Sequence, residues 1–517
     1  MRRLCDDIWI IDLGGEGRGT RKSDNVFAIQ TPVAIAVAVR SDSLKAKKDK
    51  PAKVHYVCIE GAREAKLAAL DAITDLASVG WQDCPDDWHA PFRPAGKGDY
   101  FDWPFLTDIM PWQQSGVKAG RTWVISPEQD TLRKCWRRLI NAERAERRSL
   151  FKDSPTGRKT HEAATQLPPA AGKLIAISEL AKGAQAPDAI RYAYRSFDRQ
   201  FIIADARLLD RPGPALWRAH GEQQVYLTTL LNHPLGQGPV VTACALIPDL
   251  HHFRGSYGAK EAFPFYRNSD GTEANILPGL LDLLRAVYKR GITPNALLAY
   301  IYGALAHPAF AARFVGELET RELRVPITKD AALFEKVREA GGRLLWLHTY
   351  GERFVPKGKQ RGQVPRGAAK CVKAVPGDAD GYPESFDYND ATRTLRVGEG
   401  KFAPVLREVF EFEVSGLKVV QSWLKYRLKK GSGKKSSPLD DIRPDRWTGE
   451  FTTELLELLW VLEATVAGYA EQANLLETVV AHACFQAHEL PEVTDEMRKP
   501  PRGRSDVGGL FDYGGGS

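Results

Sequence analysis

Apolar residues run from Ile8 to Leu13 (IWIIDL), broken only by Asp12, and with few interruptions from Val26 to Arg40 (VFAIQTPVAIAVAVR), which predicts two buried strands joined by a glycine-rich polar connection. A third strand is expected from Val54 to Ile59, then a helix from Ala62 to Leu76. Such apolar strands belong inside a sheet covered on both faces, as in an α/β domain, and three of them do not complete one. The opening therefore reads as the last part of a domain.

Beyond it the pattern changes. From Gly80 to Trp123 the residues Trp, Pro, Asp and Gly crowd together (WQDCPDDWHAPF, YFDWPFLTDIMPW), as expected of loops anchored by aromatic rings. One amphipathic helix is predicted from Thr131 to Lys152, with Leu132, Trp136, Leu139 and Ile140 on its apolar stripe and Arg133, Arg137, Arg144 and Arg148 on another. Residues 153–175 read as a linker. Alternation in RYAYRSFDRQFIIADARLLD predicts paired strands, Asp210 to Arg267 should hold loops and short strands, and Leu277 to Phe314 two helices. A low-complexity break at 431–438 (GSGKKSSP) precedes a final helix from Thr452 to about Ala483.

Composition narrows the class. A chain of 517 residues has room for two to four domains at roughly 100–200 residues each. With 43% hydrophobic and 26% charged residues it is expected to fold. The net charge of +7 permits a polyanionic partner without requiring one. The seven cysteines form no CxxC pair, which fits a reduced, cytoplasmic protein. No run of about 18 uncharged apolar residues suggests a membrane span.

Several motifs fail on context. Gly14, Gly15, Gly17 and Gly19 follow a strand, but TRKSDNVFAIQ leads from them into another strand, whereas a phosphate-binding glycine loop opens a helix. His251, His252, His307 and His348 lack metal-ligand spacing. Neither a Gly-x-Ser-x-Gly elbow nor a GxxxxGK[ST] loop occurs, which disfavours acyl transfer and ATP-driven translocation. Three basic runs remain: the helix at 131–152 with eight basic residues against two acids, Arg353 to Lys373 with seven and none, and Lys418 to Lys435 with seven and none. A single run is ordinarily a solvated face. Three runs interleaved with Tyr, Trp and Phe are what a phosphate-tracking groove requires.

In series, these blocks resemble the type ISP restriction-modification enzymes, single polypeptides carrying a nuclease, a helicase-like motor, an adenine-N6 methyltransferase and a target-recognition domain. Residues 25–29 (NVFAI) and 33–35 (VAI) are similar to the family's final methyltransferase strands, and 191–218 to its arginine- and tyrosine-rich recognition block. Further similarities lie at 300–330, 341–352 (GGRLLWLHTYGE), 416–427 (GLKVVQSWLKYR) and 447–466. The family's FxGxG-type cofactor loop and Asn-Pro-Pro-Tyr tetrad have no counterpart here, since the Pro-Pro pairs at 168–169 and 500–501 lie in LPPAAG and KPPRGR.

The resemblance implies an α+β protein: terminal strands of a methyltransferase-like α/β sheet (1–78), an aromatic loop and basic connector (79–165), a mixed target-recognition domain (166–430), and a linker with a C-terminal helical segment (431–517). It implies recognition of double-stranded DNA without catalysis by this chain alone, no cofactor bound here, and S-adenosylmethionine on a missing or partner methyltransferase core. The partner expected is a methyltransferase, nuclease and motor polypeptide. Residues nominated for phosphate contact are Arg133, Arg137, Arg144, Lys357, Lys359, Arg361, Lys425, Arg427 and Lys429; those nominated to read bases are Arg195, Arg199, Arg211, Arg254 and Tyr257, because arginine can bond guanine bidentately. Phe27 matches the aromatic that stacks on a flipped adenine, or else is a strand phenylalanine in the core. Two rivals stand beside this reading: a complete but divergent S-adenosylmethionine-dependent methyltransferase using Gly14 to Gly19, and a scaffold subunit of a phage-defence complex.

Overall fold

The computed structural model describes residues 1–15, 24–29, 31–40, 50–86, 88, 92–94, 99–154, 156–258, 261–430 and 435–501. Gly17, Gly19 and residues 431–434 of the break at 431–438 lie outside the described residues.

The chain opens in a four-stranded sheet. Strand β1 (Asp7–Gly14) runs antiparallel to β2 (Val33–Val39), with Ile11 opposite Ile35, and parallel to β3 (Lys53–Cys58), with Ile8 opposite Val54. The short β4 (Gln82–Asp83) closes the side beyond β3. Ile8, Ile10, Ile11 and Leu13 of β1 and Val54 and Tyr56 of β3 are buried, while Trp9 and Val57 are half-buried. The expected buried strand from Val26 is corrected: residues 26–29 are bends, and β2 is an edge strand that exposes Ile35, Val37 and Val39. The helix ends early, at Arg63–Asp71, and the Asp75 carboxylate then accepts from the Ser78 amide to start a separate 3-10 turn.

The predicted basic helix is two helices, Gln129–Asn141 and Arg144–Phe151. Ala142 and Glu143 are extended between them, and buried Arg147 donates to the carbonyls of Ile140 and Ala142, closing the first helix. The described residues of 153–175 are tied down rather than loose, with a small hairpin (Ala164–Thr165 and Lys173–Leu174) and buried Thr160 and Leu167.

The predicted paired strands form a hairpin, Ala189–Arg195 against Asp198–Ile203. Beside it lies a three-stranded sheet in which Tyr226–Thr228 separates Thr242–Cys244 from Ala262–Pro264. Residues 277–314 hold three helices instead of two, because Pro308 begins a new one after His307. Helices Pro294–Leu305 and Ala331–His348 touch through Gly303 and Gly341; a Cβ on Gly341 would sit 1.8 Å from the Ala299 carbonyl oxygen. The predicted final helix divides at Gly468 into Gly449–Ala467 and Tyr469–Ala481. An antiparallel sheet over 370–403 was not foreshadowed by the pattern.

The architecture is α+β, with its largest core among the helices. All seven cysteines are free thiols. Among the described residues no helix is long and apolar enough to cross a membrane, and no three His, Cys, Asp or Glu side chains converge as metal ligands.

Candidate nucleic-acid interface

The turn after β1 is built around one side chain. Asn25 Nδ2 donates to the carbonyls of Gly15 (3.1 Å) and Thr31 (2.7 Å), while its Oδ1 accepts from the Phe27 amide (2.9 Å). Lys66, wholly buried on its helix, donates to the carbonyls of Leu13 (2.6 Å) and Asp24 (2.7 Å). Arg63 adds a bond to the Val26 carbonyl. Val26 thereby packs inward and Phe27 is turned out, 58% exposed, which corrects the alternative that made it a core residue.

This turn lines a cleft of about 980 Å³ through Gly14, Asp24, Thr31 and Pro32, and the other wall is His233, Pro234, Tyr257 and Arg321. An ion-pair network crosses it. Asp12 Oδ2 accepts from Tyr56 (2.7 Å) and from Arg93 Nη2 (2.8 Å), and the other Arg93 nitrogen reaches Glu319 (2.5 Å). Burial and the neighbouring Asp12 carboxylate push the Tyr56 phenol far above its ordinary pKa, so it remains a donor. A Cβ on Gly15 would lie 2.5 Å from Asn25 Nδ2. Asn25 thus packs directly against Gly15, and the next element is strand β2, not a helix, so these residues lack the strand-to-helix setting of a phosphate-binding cofactor loop.

Residues 108–458 match the family model described as the type ISP C-terminal specificity domain. The chain belongs to that family. No curated protein matches it in sequence. Solved structures share its fold. One is a DrdV–DNA complex seen by cryo-electron microscopy, 16% identical with a TM-score of 0.61, covering 92% of this chain and 48% of that one. A nuclease-deletion mutant of the type ISP restriction-modification enzyme LlaGI, in complex with a DNA substrate mimic, is 16% identical with a TM-score of 0.58, covering 94% of this chain and 37% of that one. The ATP-dependent type ISP enzyme LlaBIII bound to DNA is 15% identical with a TM-score of 0.61, covering 93% and 31%. The chain thus spans less than half the length of these proteins.

Within this type ISP specificity fold the nominated cations divide sharply. Arg133, Arg137, Arg144, Arg211, Lys357, Lys359, Arg361, Lys425 and Lys429 are exposed, though Arg133 pairs with Asp130 (3.1 Å) and Arg361 with Glu352 (2.8 Å). Arg427 is corrected. Its guanidinium has no exposed surface, meets Asp198 (2.9 Å) and Glu454 (3.3 Å), and lies 3.7 Å from the Trp423 ring centroid, so it cannot reach a phosphate. Arg195 is corrected likewise: it is buried against Asp249 (2.7 Å). Arg199 is spoken for by Glu457 (2.7 Å) and the Tyr350 ring. With Arg191 these two line a half-open pocket of about 570 Å³, and each is paired with a carboxylate: Arg191 with Glu454, Arg195 with Asp249 and Arg199 with Glu457.

Arg254 and Tyr257 occupy a loop at the cleft, with the Arg254 guanidinium 5.4 Å from the Tyr257 ring centroid and the His233 ring 3.9 Å from it. Asp249, Tyr192 and His233 carry much of this arrangement and no local pattern announces them. The only legible hint was Asn25, inside the NVFAI block.

Proposed function

We propose that the chain supplies sequence-specific recognition of double-stranded DNA in a type ISP restriction-modification system, while methyl transfer belongs to a body outside these residues. The observation that carries the reading is the cleft, with an outward phenylalanine beside one wall and Tyr257 and the exposed Arg321 on the other. Aromatic faces stack on bases, and arginine serves both phosphate and base edges. The DNA-bound state of the proteins with this fold supports it.

S-adenosylmethionine is assigned to that outside body, because Asn25 occupies the space beside Gly15 and the chain has no Asn-Pro-Pro-Tyr tetrad. The exposed apolar β2 supports a sheet that continues into a neighbouring methyltransferase body, since an interior strand shows this composition and a solvated edge does not. On this reading Phe27 faces a base drawn from the duplex.

The test is selection from a random-sequence duplex library. A short motif should be enriched, and binding to it should fall by on the order of a thousandfold between 50 and 200 mM salt if about six phosphates are contacted. Failure to enrich any sequence removes the reading.

A further inference from the structure

Tyr257 has a φ of 54°, a left-handed conformation that a residue with a Cβ adopts only at a cost. Its surroundings prevent relaxation. A Cβ on Gly258 would lie 2.0 Å from the Leu250 carbonyl oxygen. Asp249 holds the start of the loop by accepting from Arg195 (2.7 Å), Tyr192 (2.9 Å) and the His251 amide (2.9 Å). Ser196 fixes its middle, with its amide on the His252 carbonyl (2.7 Å) and its hydroxyl on the Phe253 carbonyl (2.8 Å). What the strained position delivers is a ring on the cleft wall opposite the Phe27 turn, lying against His233 and next to Arg254.

We infer that Tyr257, backed by His233 and flanked by Arg254, is a stacking platform for a nucleobase that stays in the duplex beside the one drawn out. When a nucleotide leaves the helix, its neighbours each lose a stacking face. A ring held at fixed depth replaces that face whatever the base, and the adjacent guanidinium, 5.4 Å from the ring centroid, helps hold it in place. Phe27 and Tyr257 then have separate tasks, one toward the departing base and one toward the gap. The inference rests on the duplex-reading proposal.

Glycine at this position removes the ring and also relieves the positive φ, so Tyr257→Gly separates stacking from packing. The probes are the duplex enriched from the random library and a scrambled duplex of equal length. Tyr257→Gly, measured at a temperature where it is fully folded, should bind the enriched duplex roughly 5- to 150-fold more weakly and bind the scrambled one unchanged. Tyr257→Phe should bind both normally. Unweakened binding of the enriched duplex by Tyr257→Gly, or equal weakening on both duplexes, would overturn the platform, and a lowered melting point with that equal loss would mark the ring as packing for His233. If the unsubstituted protein enriches no sequence, the duplex-reading proposal fails first and the platform falls with it.

Discussion

The Arg195 guanidinium and the Asp249 carboxylate lie 2.7 Å apart, both nearly closed to solvent, and join the strand Ala189–Arg195 to the loop that carries Arg254 and Tyr257. Burying two charges is favourable only when each satisfies the other, so removing one partner leaves an uncompensated charge. Arg195→Ala should therefore cost about 3–5 kcal/mol in urea unfolding. Its loss of discrimination between enriched and scrambled duplexes should persist at temperatures where the variant is still folded. Unchanged stability would show that the pair does not anchor the loop.

Arg427 and the lysines at 357 and 359 should respond in opposite ways to the same substitution. Arg427→Ala leaves the buried Asp198 carboxylate without its cation, while Glu454 keeps Arg191, for an expected loss of about 3–5 kcal/mol with the salt dependence of DNA binding unaltered. Lys357→Ala with Lys359→Ala should leave the melting point almost unchanged, because both side chains are exposed. Each phosphate contact contributes about 0.9 to the slope of log K against log salt, so the double variant should flatten it by about 1.8. A slope equal to that of the unsubstituted protein would make this loop a solvated surface.

These contrasts mark how far the sequence could be read. Strands β1 and β3 and the hairpin at 189–203 were legible because the signal is local: apolar continuity, or alternation at a period of two. The apolar stripe of Leu132, Trp136, Leu139 and Ile140 was legible for the same reason, yet the break after Asn141 was not, since it is closed by Arg147 from the next helix. Charge carries no such local label. Arg427 and Lys425 stand two residues apart in one basic run, and only the fold, by bringing up Asp198 from 229 residues away, makes one interior and leaves the other in solvent. Phe27 resembled core because its neighbours are apolar; two hydrogen bonds donated by Asn25 and one it accepts from the Phe27 amide decide otherwise.

That turn gives Phe27 a distinct expectation. Its ring is 58% exposed, so Phe27→Ala removes little buried area and should shift stability by no more than about 0.5 kcal/mol. Asn25→Ala leaves the carbonyls of Gly15 and Thr31 without this partner and should cost more, about 1–3 kcal/mol. Thermal melting of the two variants side by side checks the order. A Phe27→Ala protein that melts lower than Asn25→Ala would return the ring to the core.

Acid should weaken the protein through its buried histidines. Burial lowers His252 and His348 to about 3 and His220 and His307 to about 4, so all four are neutral in the folded state at pH 5. An unfolded chain takes up a proton on each near pH 6.5. Stability from these groups is therefore complete above about pH 6.5 and drains away as the pH falls toward 4, by up to about 1.4 kcal/mol per pH unit for each histidine. His348 is the sharpest probe, since its Nδ1 meets the Tyr302 hydroxyl (2.6 Å) and its Nε2 the Thr465 hydroxyl (2.9 Å), joining three helices with an uncharged ring. In His348→Gln the proton uptake on unfolding between pH 6 and 4.5, read from the pH dependence of urea unfolding, should fall by about one. Uptake equal to that of the unsubstituted protein would mean that His348 titrates normally in the folded state.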